Sequence, residues 1–510
     1  MKIERTKNAT RNIIFGFILK IYQLLLPFIF RTVIIQTIGI EYLGLNSLFS
    51  SILQVLNLAE LGVGSAMIYS MYSPIANDNA DKICSLMKLY RTYYRIIGIV
   101  ILVMGLLLVP VLPDLIKSDL PESVNLYVLY FMNLLATVLS YWLFAYKNSI
   151  LTAHQRTDIS SRVSIVTDTC KYALQFVSLI YFKNYYYFIM SSLIVQILTN
   201  LTTAYIADRM FPDYKPRGDL DKDEVRVINK RVRDLFTSKI GGTIVSSADT
   251  IVISAYLGLY MLAVYQNYYY IMSAVMAFMT IIYSSITAGV GNGLITKSDK
   301  ENYKDFRILT FMVFWILCFS VCAFLCLYQP FMELWMGKDK LLPGLVVVLL
   351  CIYFLGYEIV MFLSLFKDAG GIWHEDRFRP LISGLVNLTL NICLVRKMGI
   401  YGIVLSTILS VWFISIPWII INVMTLIYKR NIKDYVAQIV QYISVIIFAA
   451  IISGSICCNL TFNPQITLLI NGVVSIIIPN FIFYCVFRKR MEFKATLEII
   501  KRMISRKGSI

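Results

Sequence analysis

RNIIFGFILKIYQLLLPFIFRTVIIQTIGIEYLGLNSLFSSILQVLNLAELGVGSAMIYSMYSPIA occupies residues 11–76. It holds two apolar runs, 12–36 and 44–70, parted by a short break around Gly39 and Glu41. A helix rises 1.5 Å per residue, so about 20 apolar residues cross a hydrocarbon core about 30 Å thick. Both runs are long enough. The first does not read as a cleaved signal peptide, because it is too long, carries Lys20 and Arg31, and lacks a small-residue cleavage site. It is expected to stay as a membrane anchor.

The same pattern continues outward from this stretch. Further apolar runs lie at 94–112, 124–147, 163–182, 186–207, 238–258, 260–290, 308–329, 343–366, 380–396, 401–428, 437–459 and 466–487, which makes fourteen expected spans in 510 residues. Apolar residues make up 58% of the chain and charged residues 15%. A soluble domain carries about 25% charge, so a soluble enzyme and a disordered chain are both excluded. The ten cysteines, with only His154 and His374 as companions, suggest packing residues and no metal site. Cys84 is read as the one in a polar loop.

Basic residues set the orientation. With the N-terminus inside, the cytoplasmic segments hold 38 of the 47 lysines and arginines and the outside loops hold six. Lys20, Arg31 and Lys171 are left within spans. Both termini are therefore expected in the cytoplasm. This bias also accounts for the net charge of +17 without nucleic acid. Outside loops reach at most about 13 residues, too little for the acceptor site of a membrane glycosyltransferase or polymerase. No GxxxxGK[ST] loop is present, so the chain is not expected to hydrolyse ATP. In the segment 219–236, Val225, Ile228, Val232, Leu235 and Phe236 share one helical face, which reads as an amphipathic helix lying on the inner membrane surface.

The two halves of the chain resemble each other. IGIEYLGL (38–45) matches LGLYMLAV (257–264), Gly62-Val63-Gly64 matches Gly289-Val290-Gly291, His154 matches His374, and Asp168 matches Asn387. A repeat of six spans keeps both copies in the same orientation, so the expected pseudo-twofold axis lies along the membrane normal. The expected fold is an all-α integral membrane protein with two six-helix lobes. Its segments are an N-lobe at 1–207, a cytoplasmic linker at 208–237, a C-lobe at 238–428, and two further spans with a basic tail at 429–510.

Charges inside spans are costly and are functional candidates. Lys20 and Arg31 lie three turns apart on one face of span 1, with Gln23 near that face. Gln54 and Asn57 line span 2, with Glu60 one turn on, and Asp168 and Lys171 share a stripe on span 5. One reading is internal pairing, Lys20 with Glu60 and Asp168 with Lys171. The other is that Arg31, Lys20 and Lys171, with Gln23, Gln54 and Asn57, face a cavity and bind an anionic substrate. Arginine suits phosphate because its planar fork donates two parallel hydrogen bonds, and no carboxylate is evident at the depth of Arg31. Asp249 and Glu358, together with Asp168 and Glu60, are the candidates for a coupling ion. The tyrosines at 268–270 read as packing or as a sugar platform.

YLGL (42–45) followed by ILQVLNLAELGVGSA (52–66), within residues 5–76, resembles the amino-terminal signature of the Wzx-type polysaccharide flippases, members of the multidrug/oligosaccharidyl-lipid/polysaccharide exporter superfamily. NLTLNICLVRKMGIYGIVLSTILS (387–410) resembles the family's span 11–12 region. The resemblance implies alternating-access movement of undecaprenyl-diphosphate-linked oligosaccharide across the bacterial cytoplasmic membrane, for a capsule, O-antigen or exopolysaccharide. It implies a cationic cavity and a lipid-tail groove at spans 13 and 14. The implied partners are that substrate, membrane lipids, a polysaccharide polymerase, glycosyltransferases, and a coupling Na+ or H+, with no cofactor. The arginine triplet of related lipid II flippases does not transfer, since one arginine and two lysines stand within spans here. The alternative is a cation-coupled multidrug antiporter of the same superfamily, although such proteins usually have twelve spans. A membrane glycosyltransferase or polymerase ranks below both.

The orientation is open to a direct test. Single cysteines in 219–236, in a cysteine-free background, are expected to resist an impermeant thiol reagent in intact cells and to react after lysis. Labelling in intact cells overturns the topology.

Overall fold

The computed structural model describes residues 5–117, 120–121, 124–459 and 463–506, and no strand occurs among them. The chain forms two compact units, Met1–Gln266 and Asn267–Ile510.

In the first unit, α1 (Arg5–Thr37) ends before Gly39, whose φ of 118° is open to glycine and costly for other residues. α2 (Glu41–Leu56) passes through one 3-10 turn, Asn57–Glu60, and then bends by 40° into α3 (Val63–Ala76). The bend sits at Gly62, at φ 90°. Asn79 caps α4 (Ala80–Leu108) by accepting from the Lys82 backbone N–H at 3.0 Å. α5 (Leu126–Trp142) turns by 48° through Phe144 towards α6 (Asn148–Ala153), and α7 (Thr157–Ile180) and α8 (Tyr185–Met210) follow. α1 packs on α7, α7 on α8, α5 on both α4 and α8, and α3 on α4.

α9 (Lys222–Thr296) is two helices joined across Gly258, which has φ 88°. Gly39 and Gly258 occupy matching places in the two repeated octapeptides, so both copies break the helix at the same residue. The amphipathic segment forms the first turns of α9, and its apolar face does not lie on lipid alone. Ile228 is buried, and a Cβ added at Gly62 would come within 2.7 Å of Leu235 Cβ and 2.9 Å of the Val232 carbonyl oxygen. Polar bonds strap the segment to α4: Lys82 pairs with Glu224, Lys88 donates to Asp219 at 2.8 Å, and Tyr93 donates to Asn229 at 2.6 Å. Cys84, expected in a polar loop, is instead buried on α4 and donates to the Asp213 carbonyl.

The second unit takes the rest of α9, then α10 (Asp299–Met336), which starts at a Ser298–Glu301 capping box. α11 (Gly344–Ala369), α12 (Arg379–Met398) and α13 (Ile400–Ser410) follow. Two π-turns, 411–415 and 423–428, flank α14 (Ile416–Asn422). α15 (Ile432–Asn459) and α16 (Pro464–Phe487) pack on each other and on α10. α17 (Met491–Arg506) also lies on α10, where Arg307 pairs with the buried Glu492 and Phe493 packs 5.4 Å from Trp315. Phe311, Phe314, Tyr442 and Phe483 are fully buried there, and tilted and edge-on ring contacts join them.

Ten of the described helices are long and apolar enough to cross a membrane, or twelve if each bent pair is one span. The count of fourteen is not reached, for two visible reasons. The two helices of α9 carry the expected spans 238–258 and 260–290 and join directly at Gly258, so the pair stands as one among the ten. α7, over the expected span 163–182, carries Asp158, Arg162, Asp168 and Lys171 and falls outside the apolar set.

Gly44 tests the close fit in the first unit. A Cβ there would stand 2.2 Å from the Leu259 carbonyl oxygen. Gly44→Ala is expected to cost about 1–3 kcal/mol by overpacking, more than the gain of up to about 1 kcal/mol from helix propensity. Its thermal unfolding midpoint in detergent should fall below wild type. Gly16→Ala, with nothing within 4 Å, should not fall. Equal midpoints would remove the contact.

Candidate functional site

Polar side chains on the spans fall into separate clusters. On the α1–α7 seam, Tyr22 and Thr169 share a hydrogen bond of 2.7 Å, and Tyr172 packs 6.0 Å from Tyr22 and 4.8 Å from Phe30. One turn along, Lys171 donates to Asp168 at 2.7 Å and lies 4.5 Å over the Tyr172 ring. Both partners keep a modest exposure, so the pair is neither sealed nor free in water. Lys20 and Gln23 are exposed on α1, and Arg31 is half-buried further along it. Arg31 is engaged with other groups, in contrast to the isolated arginine the sequence suggests.

The stripe on α2 reaches other helices. The Gln54 amide donates to Ser246 at 3.2 Å and accepts from Ser247 at 3.3 Å, which fastens α2 to α9. Asn57 accepts from Tyr141 at 3.2 Å. Glu60 is not paired with Lys20. It accepts from Tyr94 at 3.2 Å, and Tyr94 in turn accepts from Tyr90 at 2.8 Å. This relay of two tyrosines one turn apart on α4 has a visible sequence spacing, but nothing in the sequence says that it meets Glu60. Asp249 lies half-buried in the first unit and is also engaged.

In the second unit, Glu358 is 1% exposed on α11. Tyr283 donates to its Oε2 at 2.8 Å, and its Oε1 has no hydrogen-bond partner. A buried carboxyl oxygen left open in this way is costly as a carboxylate and is satisfied by a proton or a small cation. Asn387, the counterpart of Asp168, donates to Thr407 at 2.9 Å and joins α12 to α13. Tyr268 is fully buried, donating to Gln329 at 2.8 Å, so its hydroxyl is committed to packing. His154 is buried over Phe211 with Nδ1 2.9 Å from the Ile150 carbonyl, and burial lowers its pKa. His374 is exposed and lies 2.9 Å from Arg377.

A family model described as "Polysaccharide biosynthesis protein" matches residues 9–287. The chain belongs to this family. Its fold is similar to that of the lipid II flippase MurJ in an inward closed conformation, at 17% identity and a TM-score of 0.67, over 93% of this chain and 99% of that one. An inward-facing multidrug resistance MATE family transporter of the MOP superfamily is similar at 12% identity and a TM-score of 0.59, over 76% of this chain and 92% of its own. A MOP superfamily transporter from Pyrococcus furiosus aligns at 13% identity and a TM-score of 0.52, over 83% and 97%. No curated protein matches the sequence. The polysaccharide biosynthesis chain is thus a multi-pass helical membrane protein with the MurJ- and MATE-like transporter fold.

A double variant tests the Asp168–Lys171 pair. Asp168→Asn and Lys171→Gln alone each strand one charge and should lower the amount of folded protein. The double variant removes both charges and should restore that amount. A double variant that folds no better than either single change contradicts the pairing.

Proposed function

We propose that the protein is a flippase. It moves undecaprenyl-diphosphate-linked oligosaccharide units from the inner to the outer leaflet of the bacterial cytoplasmic membrane for surface polysaccharide assembly, by alternating access and with both termini in the cytoplasm. The observation that carries this reading is the joint match of a polysaccharide biosynthesis family and a lipid II flippase fold that spans nearly the whole chain. The multidrug transporter fold matches about three quarters of it, which favours the flippase over the antiporter.

The chemistry supports the same choice. The substrate has a polar head that cannot cross hydrocarbon alone and a tail that need not leave it. Lys20, Arg31 and Lys171 supply cations within spans, with Gln23, Gln54 and Asn57 as neutral hydrogen-bonding groups. A cation beside the diphosphate offsets a desolvation cost of several kcal/mol per charge. Arg31 is assigned to the diphosphate on the strength of its forked donors. Transport is secondary. Glu358, with one open carboxyl oxygen, is the favoured proton or sodium acceptor, and Asp249, Asp168 and Glu60 are the lesser ones. Membrane lipids, the polymerase and the glycosyltransferases are the expected partners.

Complementation of a strain lacking its own flippase tests the function. Wild type should restore surface polymer and clear the lipid-linked intermediate from the inner leaflet. Arg31→Ala should lose most of this activity at normal membrane level and Arg31→Lys part of it, since charge survives and the fork does not. Restoration by the wild type failing altogether contradicts the flippase. Full activity of Arg31→Ala contradicts only its assigned role.

A further inference from the structure

A cleft of about 470 Å³ opens in the first unit, on the side that the basic residues assign to the cytoplasm. Its walls are α3, the start of α4 and the first turns of α9. Six side chains give it its character: Tyr69, Ser70, Lys82, Asp223, Glu224 and Arg231. The floor is apolar, with Leu86 and Ile228 both buried. The straps between α4 and the 208–237 segment described above hold the walls together.

The charges in this cleft cancel, and that decides the ligand class. Lys82 pairs with Glu224, and Asp223 is exposed beside them. A diphosphate or an anionic lipid headgroup would face both carboxylates and gain little. A purely apolar drug would leave all four charged groups desolvated. Hydroxyl groups both donate and accept, and they suit a wall where donors and acceptors alternate. The donors have capacity left: Arg231 has five N–H groups, one of which reaches the Ser70 hydroxyl at 3.4 Å, and its guanidinium lies 4.7 Å from the Tyr69 ring. Tyr69 stays 60% exposed despite that contact and offers a flat apolar surface for the C–H face of a sugar ring.

The cleft also continues the polar stripe. Gln54 on α2 and Asn57 and Glu60 in the 3-10 turn precede the bend at Gly62, and Tyr69 stands on α3 nine residues beyond Glu60, within roughly 14 Å at the helical rise. A head group anchored near the stripe by its diphosphate end has sugars to place further along.

We propose that this cleft is a saccharide subsite that takes uncharged sugar residues of the lipid-linked oligosaccharide on the cytoplasmic side; the proposal rests on the flippase reading. It makes glycan size and composition matter before transport begins.

The test uses the full-length protein in lipid nanodiscs. It is titrated with undecaprenyl diphosphate alone and with a panel of undecaprenyl diphosphates carrying neutral disaccharides. At least one disaccharide lipid is expected to bind about tenfold more tightly than the bare lipid, the scale of a stacking contact with its hydrogen bonds. Tyr69→Ala and Asp223→Asn should each remove that increment and leave affinity for the bare lipid unchanged. Tyr69→Phe should keep it, because the ring is retained. Bare lipid also serves as the folding control for each variant. Equal affinity for every lipid, or an increment that survives Tyr69→Ala and Asp223→Asn, overturns the subsite and leaves the flippase standing. Wild type that binds neither bare nor sugar-bearing lipid contradicts the flippase reading and the subsite with it.

Discussion

A polar side chain on a membrane-spanning helix has no water to return to, and the rest of this structure follows from how each one is satisfied. Lys171 is met by Asp168 one turn away. Gln54 closes both ends of its amide on Ser246 and Ser247. Glu60 leans on Tyr94 and Tyr90, and Asn387 on Thr407. Each of these bonds also crosses from one helix to another or stiffens a turn, so satisfying the group and fixing the packing are the same event. Glu358 departs from the pattern, with one carboxyl oxygen bonded and one open. A carboxyl left half-satisfied in a well-packed interior is a costly place for a bare charge.

Glycine supplies the second element of the design. Gly39 and Gly258 break the chain between consecutive apolar segments, and Gly62 lets α2 bend into α3, each at a positive φ that favours glycine. Gly44 has a different task, since its missing Cβ lets α2 approach the backbone at Leu259. Bends placed by glycine and anchored by polar bonds divide the long helices into discrete segments. The helices α15 and α16 pack on each other and on α10.

Much of the fold is legible in the sequence because lipid imposes a length rule. Thirteen of the fourteen expected spans, counting the bent pairs and the two on α9, fall on helices that meet it. α7 does not, because its own polar stripe offsets its apolar residues. The octapeptide repeat marks the two equivalent breaks at Gly39 and Gly258. The clusters are less legible, since the partners lie far apart in sequence. Glu60 and Tyr94 are 34 residues apart, Glu358 and Tyr283 are 75 apart, and Lys82 and Glu224 are 142 apart. Helical periodicity shows which face a residue occupies and not which helix it meets. For the same reason the amphipathic face at 225–236 reads as a lipid-facing surface, although part of it packs under Gly62.

The proposed function requires movement of a lipid-linked sugar between leaflets by the protein alone. Purified protein in proteoliposomes, supplied with undecaprenyl-diphosphate-linked oligosaccharide in one leaflet and with an imposed proton or sodium gradient, measures it through access of an impermeant lectin to the sugar. The predicted result is transfer without ATP, faster than in protein-free vesicles and accelerated by one of the gradients. No transfer above the protein-free rate, or transfer that strictly requires ATP, contradicts it.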